Sequence, residues 1–233
     1  MQVARLLGAS NLGRLDYVFK PWLRKSWGGP FNGQRFRQRI FLSLIGKAGC
    51  EAVVETGTFM GTTTLFVACA GLPVYSVESD PRCHAYSALR LSRHKDRIHL
   101  YEGDSCVFLR SLSRDVAFPK GRVFFYLDAH SYGNLPLREE LEIIFGAWSE
   151  PVVMIDDFQV PGTDYGYDDY GPGQVLNLAY LDPLRHLQLA PFFPAVGPEG
   201  ETGSRRGCVV LGKGSEMERL LSGIDSLRPV VES

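Results

Sequence analysis

Between residues 52 and 157 one pattern recurs five times: a short, largely apolar run that ends in a carboxylate, then a stretch long enough for a helix. The runs are Ala52–Glu55, Val74–Glu78, Ile98–Glu102, Val123–Leu127 followed by Asp128, and Val152–Ile155 followed by Asp156-Asp157. Runs of this length, rich in Val, Ile, Phe and Tyr, read as strands, and uninterrupted ones as strands buried on both faces. Strands separated by helix-length crossovers form a doubly wound, mostly parallel α/β sheet. Ligands of such sheets lie beyond the carboxyl ends of the strands, where the strand order reverses. Every such end here carries an acid.

The crossovers are read as helices over Thr62–Ala70, after Asp80-Pro81, from Cys106, over about Pro136–Trp148, and from near Gln174. Pro81 suits a first helical turn. Two further strands, Leu187–Leu189 and Gly207–Leu211, are joined by a Pro/Gly loop and read as an antiparallel hairpin, which brings the expected sheet to seven strands. Phe36, Ile40, Phe41 and Leu44 recur at helical spacing and predict an amphipathic helix over Gln34–Ile45. We divide the chain into a basic N-terminal helical cap, 1–47, and a catalytic-type α/β domain, 48–233.

That division follows charge. Residues 1–47 hold nine Lys or Arg and one acid, Asp16; of totals of 25 basic and 26 acidic side chains this leaves 16 and 25 in the remainder. A basic head suits an anionic substrate or membrane surface, and equally a solvated cap. Met1–Ser10 lacks the pattern of a signal peptide, and no run approaches the ~18 apolar residues of a membrane span. The five cysteines are scattered without a C-x-x-C pair, which reads as free thiols in a reducing cytoplasm rather than a disulfide frame or zinc site.

The first strand runs into Glu55-Thr56-Gly57-Thr58-Phe59-Met60-Gly61-Thr62. Gly57 and Gly61 allow a sharp turn and close backbone approach to a ligand. The spacing is neither G-x-G-x-x-G nor a P-loop. A carboxylate at Glu55 would repel a pyrophosphate. Glu78 suits a ribose diol, as the corresponding acid does in dinucleotide folds. Asp104 with Ser105 suits an adenine amino group, although Asp104 is equally placed to cap the next helix. The set fits a nucleoside that carries an ammonium and a sulfonium and no phosphate.

These residues resemble the class I S-adenosylmethionine-dependent methyltransferases. Val53-Val54-Glu55-Thr56-Gly57-Thr58-Phe59-Met60-Gly61 resembles that family's glycine loop, with Thr58 where many members carry glycine. Val77-Glu78 resembles its ribose-binding acid, Glu102-Gly103-Asp104-Ser105 its adenine-side motif, Tyr126-Leu127-Asp128 its fourth-strand motif, and Arg206-Gly207-Cys208-Val209-Val210-Leu211 its antiparallel last strand. The resemblance spans about residues 50–212. It implies S-adenosylmethionine as cofactor, held by Glu55, Gly57, Thr58, Gly61, Thr62, Glu78, Asp104, Ser105 and Asp128.

Asp128, Asp156 and Asp157 end neighbouring strands in the expected order. Clustered carboxylates suit a hard divalent cation such as Mg²⁺, which lowers the pKa of a bound hydroxyl. His130 is a candidate general base, with Asp128 beside it as the second catalytic candidate. This pattern resembles the metal-dependent O-methyltransferases of small molecules, whose acceptors include catechols and macrolide sugars. The loop 162–173, rich in Gly, Tyr and Asp, follows the acid pair and reads as a substrate lid. The expected activity is O-methylation of a sugar or phenolic hydroxyl. Rival readings are a hydroxylase-like metal enzyme on the same fold and a non-catalytic interaction module. The acidic mouth argues against a nucleic-acid partner, and a homo-oligomer is compatible with the pattern.

Overall fold

The structure, a computed structural model, describes residues 8–131, 133 and 135–230. The signal-peptide reading of Met1–Ser10, and Arg5 of the basic segment, fall largely outside them. The described residues begin with α1 (Ala9–Phe19), two short 3-10 segments (Pro21–Gly28 and Pro30–Gly33) and α2 (Arg35–Ala48). Strands and helices then alternate: β1 (Ala52–Thr56), α3 (Thr62–Ala68), β2 (Val74–Glu78), α4 (Pro81–Arg90), β3 (Ile98–Glu102), α5 (Ser105–Arg114), β4 (Val123–Leu127), α6 (Leu137–Ala147) and β5 (Val152–Asp156). The chain closes with a 3-10 segment (Leu178–Leu187), β6 (Leu189–Pro194), β7 (Cys208–Lys213), α7 (Ser215–Ser222) and β8 (Leu227–Pro229).

The sheet order is β3-β2-β1-β4-β5-β7-β6-β8. The first five strands are parallel and the last three join antiparallel. The order reverses between β1 and β4, so the switch point lies at Thr56 and Leu127, which are register partners. The five residues of β1, β4 and β5 are all buried. Successive side chains point to opposite faces, and two cores result. One combines Val54, Phe125 and Ile155 with Leu109 of α5 and Leu141 of α6. The other combines Val53, Phe124 and Met154 with Ile40, Phe41 and Leu44 of α2.

Three expectations are corrected. Among the described residues the sheet has eight strands, not seven. The eighth is a three-residue strand against Phe192–Pro194, too short to leave a period in the sequence. The sixth strand is Leu189–Pro194 rather than Leu187–Leu189, because Pro191 and Pro194 disguise it as loop. No helix starts near Gln174: its N–H closes a turn onto the Gly171 carbonyl at 2.9 Å. The helical segment begins at Leu178, after an Asn177 cap that accepts from the Tyr180 N–H at 3.0 Å.

The N-terminal segment is bound to the sheet by charge as well as packing. Glu201 caps α2, accepting from the N–H groups of Phe36 and Arg37 at 2.9 and 3.0 Å. Gln34 accepts from the Arg206 N–H at 2.7 Å and donates to the Arg206 carbonyl at 2.9 Å. Phe31 lies edge-on to Tyr126 with ring centroids 5.0 Å apart. This ties the chain before α2 to the start of β7, beside the ends of β4 and β5.

Candidate active site

A cavity of about 790 Å³ opens at the switch point. Its wall includes Gly57, Thr58, Thr62, Glu78, Asp104, Ser105, Asp128, His130 and Asp157. The volume falls in the range of roughly 300–1,000 Å³ common to small-molecule sites. Of the residues expected at a cofactor, Glu55 and Gly61 stand behind this wall rather than in it.

The glycine turn is built by backbone geometry. Gly57 has φ +89°, and a Cβ there would come within 2.4 Å of the Asp128 carbonyl oxygen. Its N–H and that of Thr58 donate to the Val77 carbonyl at 3.0 and 3.2 Å. Glu78 accepts from the N–H of Phe59 at 2.6 Å and of Asp80 at 2.8 Å. Its carboxylate thus holds the turn while facing the cavity. Burial, opposed by those backbone bonds, raises its pKa. Gly61, at φ +68°, starts α3. Asp104 accepts from the Val107 N–H at 2.9 Å, so it caps α5 and lines the cavity at once.

Glu55 is 1% exposed and accepts from Thr64 and Ser76, both at 2.5 Å. Its other oxygen has no hydrogen-bond partner among the described residues. Burial pushes its pKa from 4.5 to about 7. Glu140 on α6, also 1% exposed and set near Thr56 and Ser105, is pushed to about 7 by the same cause. Between the unfolded and folded pKa the folded state holds the extra proton, so stability falls as pH rises through that window. Each carboxyl accounts for at most about 3 kcal/mol of this loss. Urea unfolding at about pH 5 and about pH 8 should show the decline, and Glu55→Gln should flatten it. An unchanged slope would mean that Glu55 ionises freely.

The acid pair divides. Asp156 is wholly buried and points away from the cavity into an ion pair with Arg37, itself 1% exposed. Tyr126 donates to it at 2.6 Å and the Asn32 amide at 3.3 Å. Asp157, at φ +53°, turns the other way into the cavity wall. The expected metal set of Asp128, Asp156 and Asp157 is therefore not what converges. Asp128, His130 and Asp157 do, each offering one ligand atom, all within 4.8 Å of one another. Burial first, then neighbouring Asp157, raises the Asp128 carboxyl well above the usual carboxylate range.

The Arg205-Arg206 pair reads from sequence as solvated side chains, with an anion contact as the alternative, and the structure puts Arg206 in the cavity wall. It donates to Asp157 at 2.5 Å and to Asp168, which also accepts from the Tyr170 hydroxyl. Asp168 lies 3.7 Å from His130 Nε2. The tyrosine loop thus enters the site through Asp168, held by its own N–H to the Asp157 carbonyl at 2.9 Å. The His130 side chain is 2% exposed, and Nε2 has no hydrogen-bond partner among the described residues. Burial lowers its pKa despite Asp157 and Asp168, so the ring is neutral near pH 7. The far side of the cavity comes from Ser26, Trp27, Gly29, Asn32 and Ser204. Only the Pro/Gly punctuation of their segments hinted that they approach one another.

No protein-family model matches the sequence, and no curated protein matches it. Solved structures do. An O-methyltransferase from Bacillus cereus in complex with S-adenosylhomocysteine superposes with TM-score 0.54 at 16% identity, over 77% of this chain and 81% of that one. The O-methyltransferase TomG from Streptomyces achromogenes, in complex with S-adenosylmethionine and involved in tomaymycin synthesis, gives 0.53 at 18%, over 77% and 80%. At such identities the likeness is one of fold: the chain shares the Rossmann-like, doubly wound α/β architecture of these two structures.

Proposed function

We propose that this chain is an S-adenosylmethionine-dependent methyltransferase that acts on a hydroxyl of a small molecule, a sugar or a phenol, with help from a divalent ion. The observation that carries the reading is the convergence of Gly57, Glu78, Asp104 and Asp128 in the wall of one cavity at the switch point. The cofactor fits this wall. A Cβ at Gly57 would strike the Asp128 carbonyl, so only glycine lets the turn close against the end of β4 beside the cavity, and Glu78 presents a carboxylate suited to a ribose diol. The fold neighbours with S-adenosylmethionine or S-adenosylhomocysteine bound support the same cofactor.

The cofactor, when bound, supplies an electrophilic methyl group on a sulfonium. The chain's own residues do the rest. Glu78 takes the ribose hydroxyls, Asp104 and Ser105 the adenine side, and Gly57, Thr58 and Thr62 shape the turn beneath. Glu55 stands behind the turn, its role that of a buried partner to Thr64 and Ser76. His130, a neutral imidazole buried beside the cavity, accepts the acceptor's hydroxyl proton at its unprotonated ring nitrogen. Positioning of the acceptor against the methyl supplies the remainder.

The ion would sit among Asp128, His130 and Asp157. Two carboxylates and an imidazole suit Mn²⁺ or Zn²⁺ better than Mg²⁺, which prefers oxygen throughout. An imidazole that ligates through Nε2 cannot also take a proton there, so base and ligand are rival roles for His130. Calorimetry with S-adenosylhomocysteine tests the cofactor, and product mass after incubation with candidate acceptors tests the reaction. As a base, His130→Gln should lower kcat about 10²–10⁴-fold with S-adenosylhomocysteine affinity unchanged and activity indifferent to added Mn²⁺. As a ligand, its loss should be partly rescued by excess Mn²⁺. Activity that survives exhaustive chelation would remove the ion.

A further inference from the structure

We propose that the surface between Arg14 and Trp27 docks on anionic lipid. The proposal is independent of the methyltransferase reading.

Helix α1 has an inner and an outer side. On the inner side a Cβ at Gly13 would come within 2.0 Å of the Arg82 carbonyl oxygen, so α1 and α4 touch backbone to backbone. Asp16 accepts from Arg82 Nε at 2.6 Å and pairs with Lys20 at 2.7 Å. Tyr17 meets Tyr86 edge-on at 5.4 Å. The outer side is apolar. Leu15, Val18 and Phe19, at helical spacing, are 41, 61 and 70% exposed, and Trp22, next at that spacing, is 65% exposed. Trp27 follows at 70%. Large apolar side chains exposed in a group, rather than scattered, mark a surface that meets something.

Charge says what. Arg14, Arg24 and Lys25 are exposed among these residues. The only acid of residues 1–47, Asp16, is buried and already holds two cations. The segment is therefore cationic and apolar; the exposed acid beside it is Asp80 at the start of α4, which shares a shallow pocket with Lys20 and Trp22 and is outnumbered there by Lys20 and Arg82. A second copy docked face to face would set cation against cation, since a two-fold contact uses the same patch on both sides. An anionic bilayer satisfies both parts: aromatic rings enter the headgroup boundary, and Lys and Arg meet the negative surface. The surface also runs into the cavity, because Ser26 and Trp27 line it. Arg90 ties the two together, donating to the Arg24 carbonyl at 2.8 Å, the Met60 carbonyl at 3.0 Å and Thr62 Oγ1 at 2.8 Å.

The test is co-sedimentation of the full chain with phosphatidylcholine vesicles, with and without phosphatidylglycerol. The protein should bind only the anionic vesicles, and binding should weaken with salt. Two double variants, Phe19→Ala with Trp22→Ala and Arg14→Glu with Lys25→Glu, should each lower partitioning at least about tenfold, with the thermal melting transition retained as a check of folding. The proposal is overturned if anionic vesicles fail to retain the protein at low salt. It is equally overturned if both variants bind as the parent does, or if light scattering shows a dimer that both variants dissociate, since a second copy would then cover the face. Vesicle binding without any S-adenosylhomocysteine binding would leave this proposal standing and remove the methyltransferase one.

Discussion

Replacing Asp156 with alanine should cost about 3–5 kcal/mol of folding stability. The residue is wholly buried against Arg37, whose side chain is 1% exposed. Without the carboxylate a guanidinium remains in the core with its charge uncompensated, and that is the expensive state. The carboxylate also takes the Tyr126 hydroxyl, the Asn32 amide and, at 2.8 Å, the N–H of Asp157. Removal therefore loosens the residue that turns Asp157 toward the cavity. Replacing the pair together, Arg37→Met with Asp156→Leu, should recover part of the loss, because two apolar groups leave no buried charge. Recovery is incomplete because Arg37 also donates to the carbonyls of Arg206 and Gly207, the latter at 2.8 Å. Denaturant unfolding of the three proteins measures this. If Asp156→Ala were as stable as the parent and lost only metal affinity, the acid would be a ligand and the buried pair unimportant.

That partnership explains how far the site was readable from sequence. An acid at the end of a buried strand has an address in the fold, and Glu78, Asp104 and Asp128 reach the cavity from such ends. The parallel strands were legible for a related reason: runs such as Val123–Leu127 leave no polar face for solvent. What a run of residues does not reveal is rotation. Asp156 and Asp157 are adjacent, so extended backbone would send them to opposite faces. A joint pair of ligands is at odds with that period, and Asp157 leaves the strand with a positive φ. A signal for the buried partner was present. Arg37 stands at helical spacing with Ile40, Phe41 and Leu44, on the apolar face of α2, where an unpaired cation is not tolerated. An arginine in that position asks for an acid across the packing interface. Arg206 offered a weaker signal, a paired arginine suited to some anion without saying which: its partners, Asp157 and Asp168, lie 49 and 38 residues away and meet it through loops.

The second large effect concerns the proposed cofactor half of the site. Glu78→Ala should weaken S-adenosylhomocysteine binding by roughly 100-fold or more, since hydrogen bonds to a charged acceptor contribute about 1.5–3 kcal/mol each and a ribose diol presents two hydroxyls. The carboxylate also secures Phe59, whose φ of +49° is uncommon for a bulky residue, through the N–H at 2.6 Å. Part of the loss is therefore disorder in the turn, and Glu78→Gln, which keeps an acceptor oxygen, should lose less. The pH dependence separates charge from shape. Burial is the largest influence on Glu78 and raises its pKa, while Phe59 and Asp80 pull it down. Ionised Glu78 is the better acceptor, so affinity is full above the raised pKa and falls as the carboxyl takes up its proton. The fall begins at a higher pH than for a free glutamate. Titration calorimetry of the parent across this range should show it, and the glutamine variant should bind without that inflection. A parent that binds S-adenosylhomocysteine with no inflection, and a Glu78→Ala variant of equal affinity, would place the ribose elsewhere in the cavity and leave Glu78 only the task of holding the glycine turn.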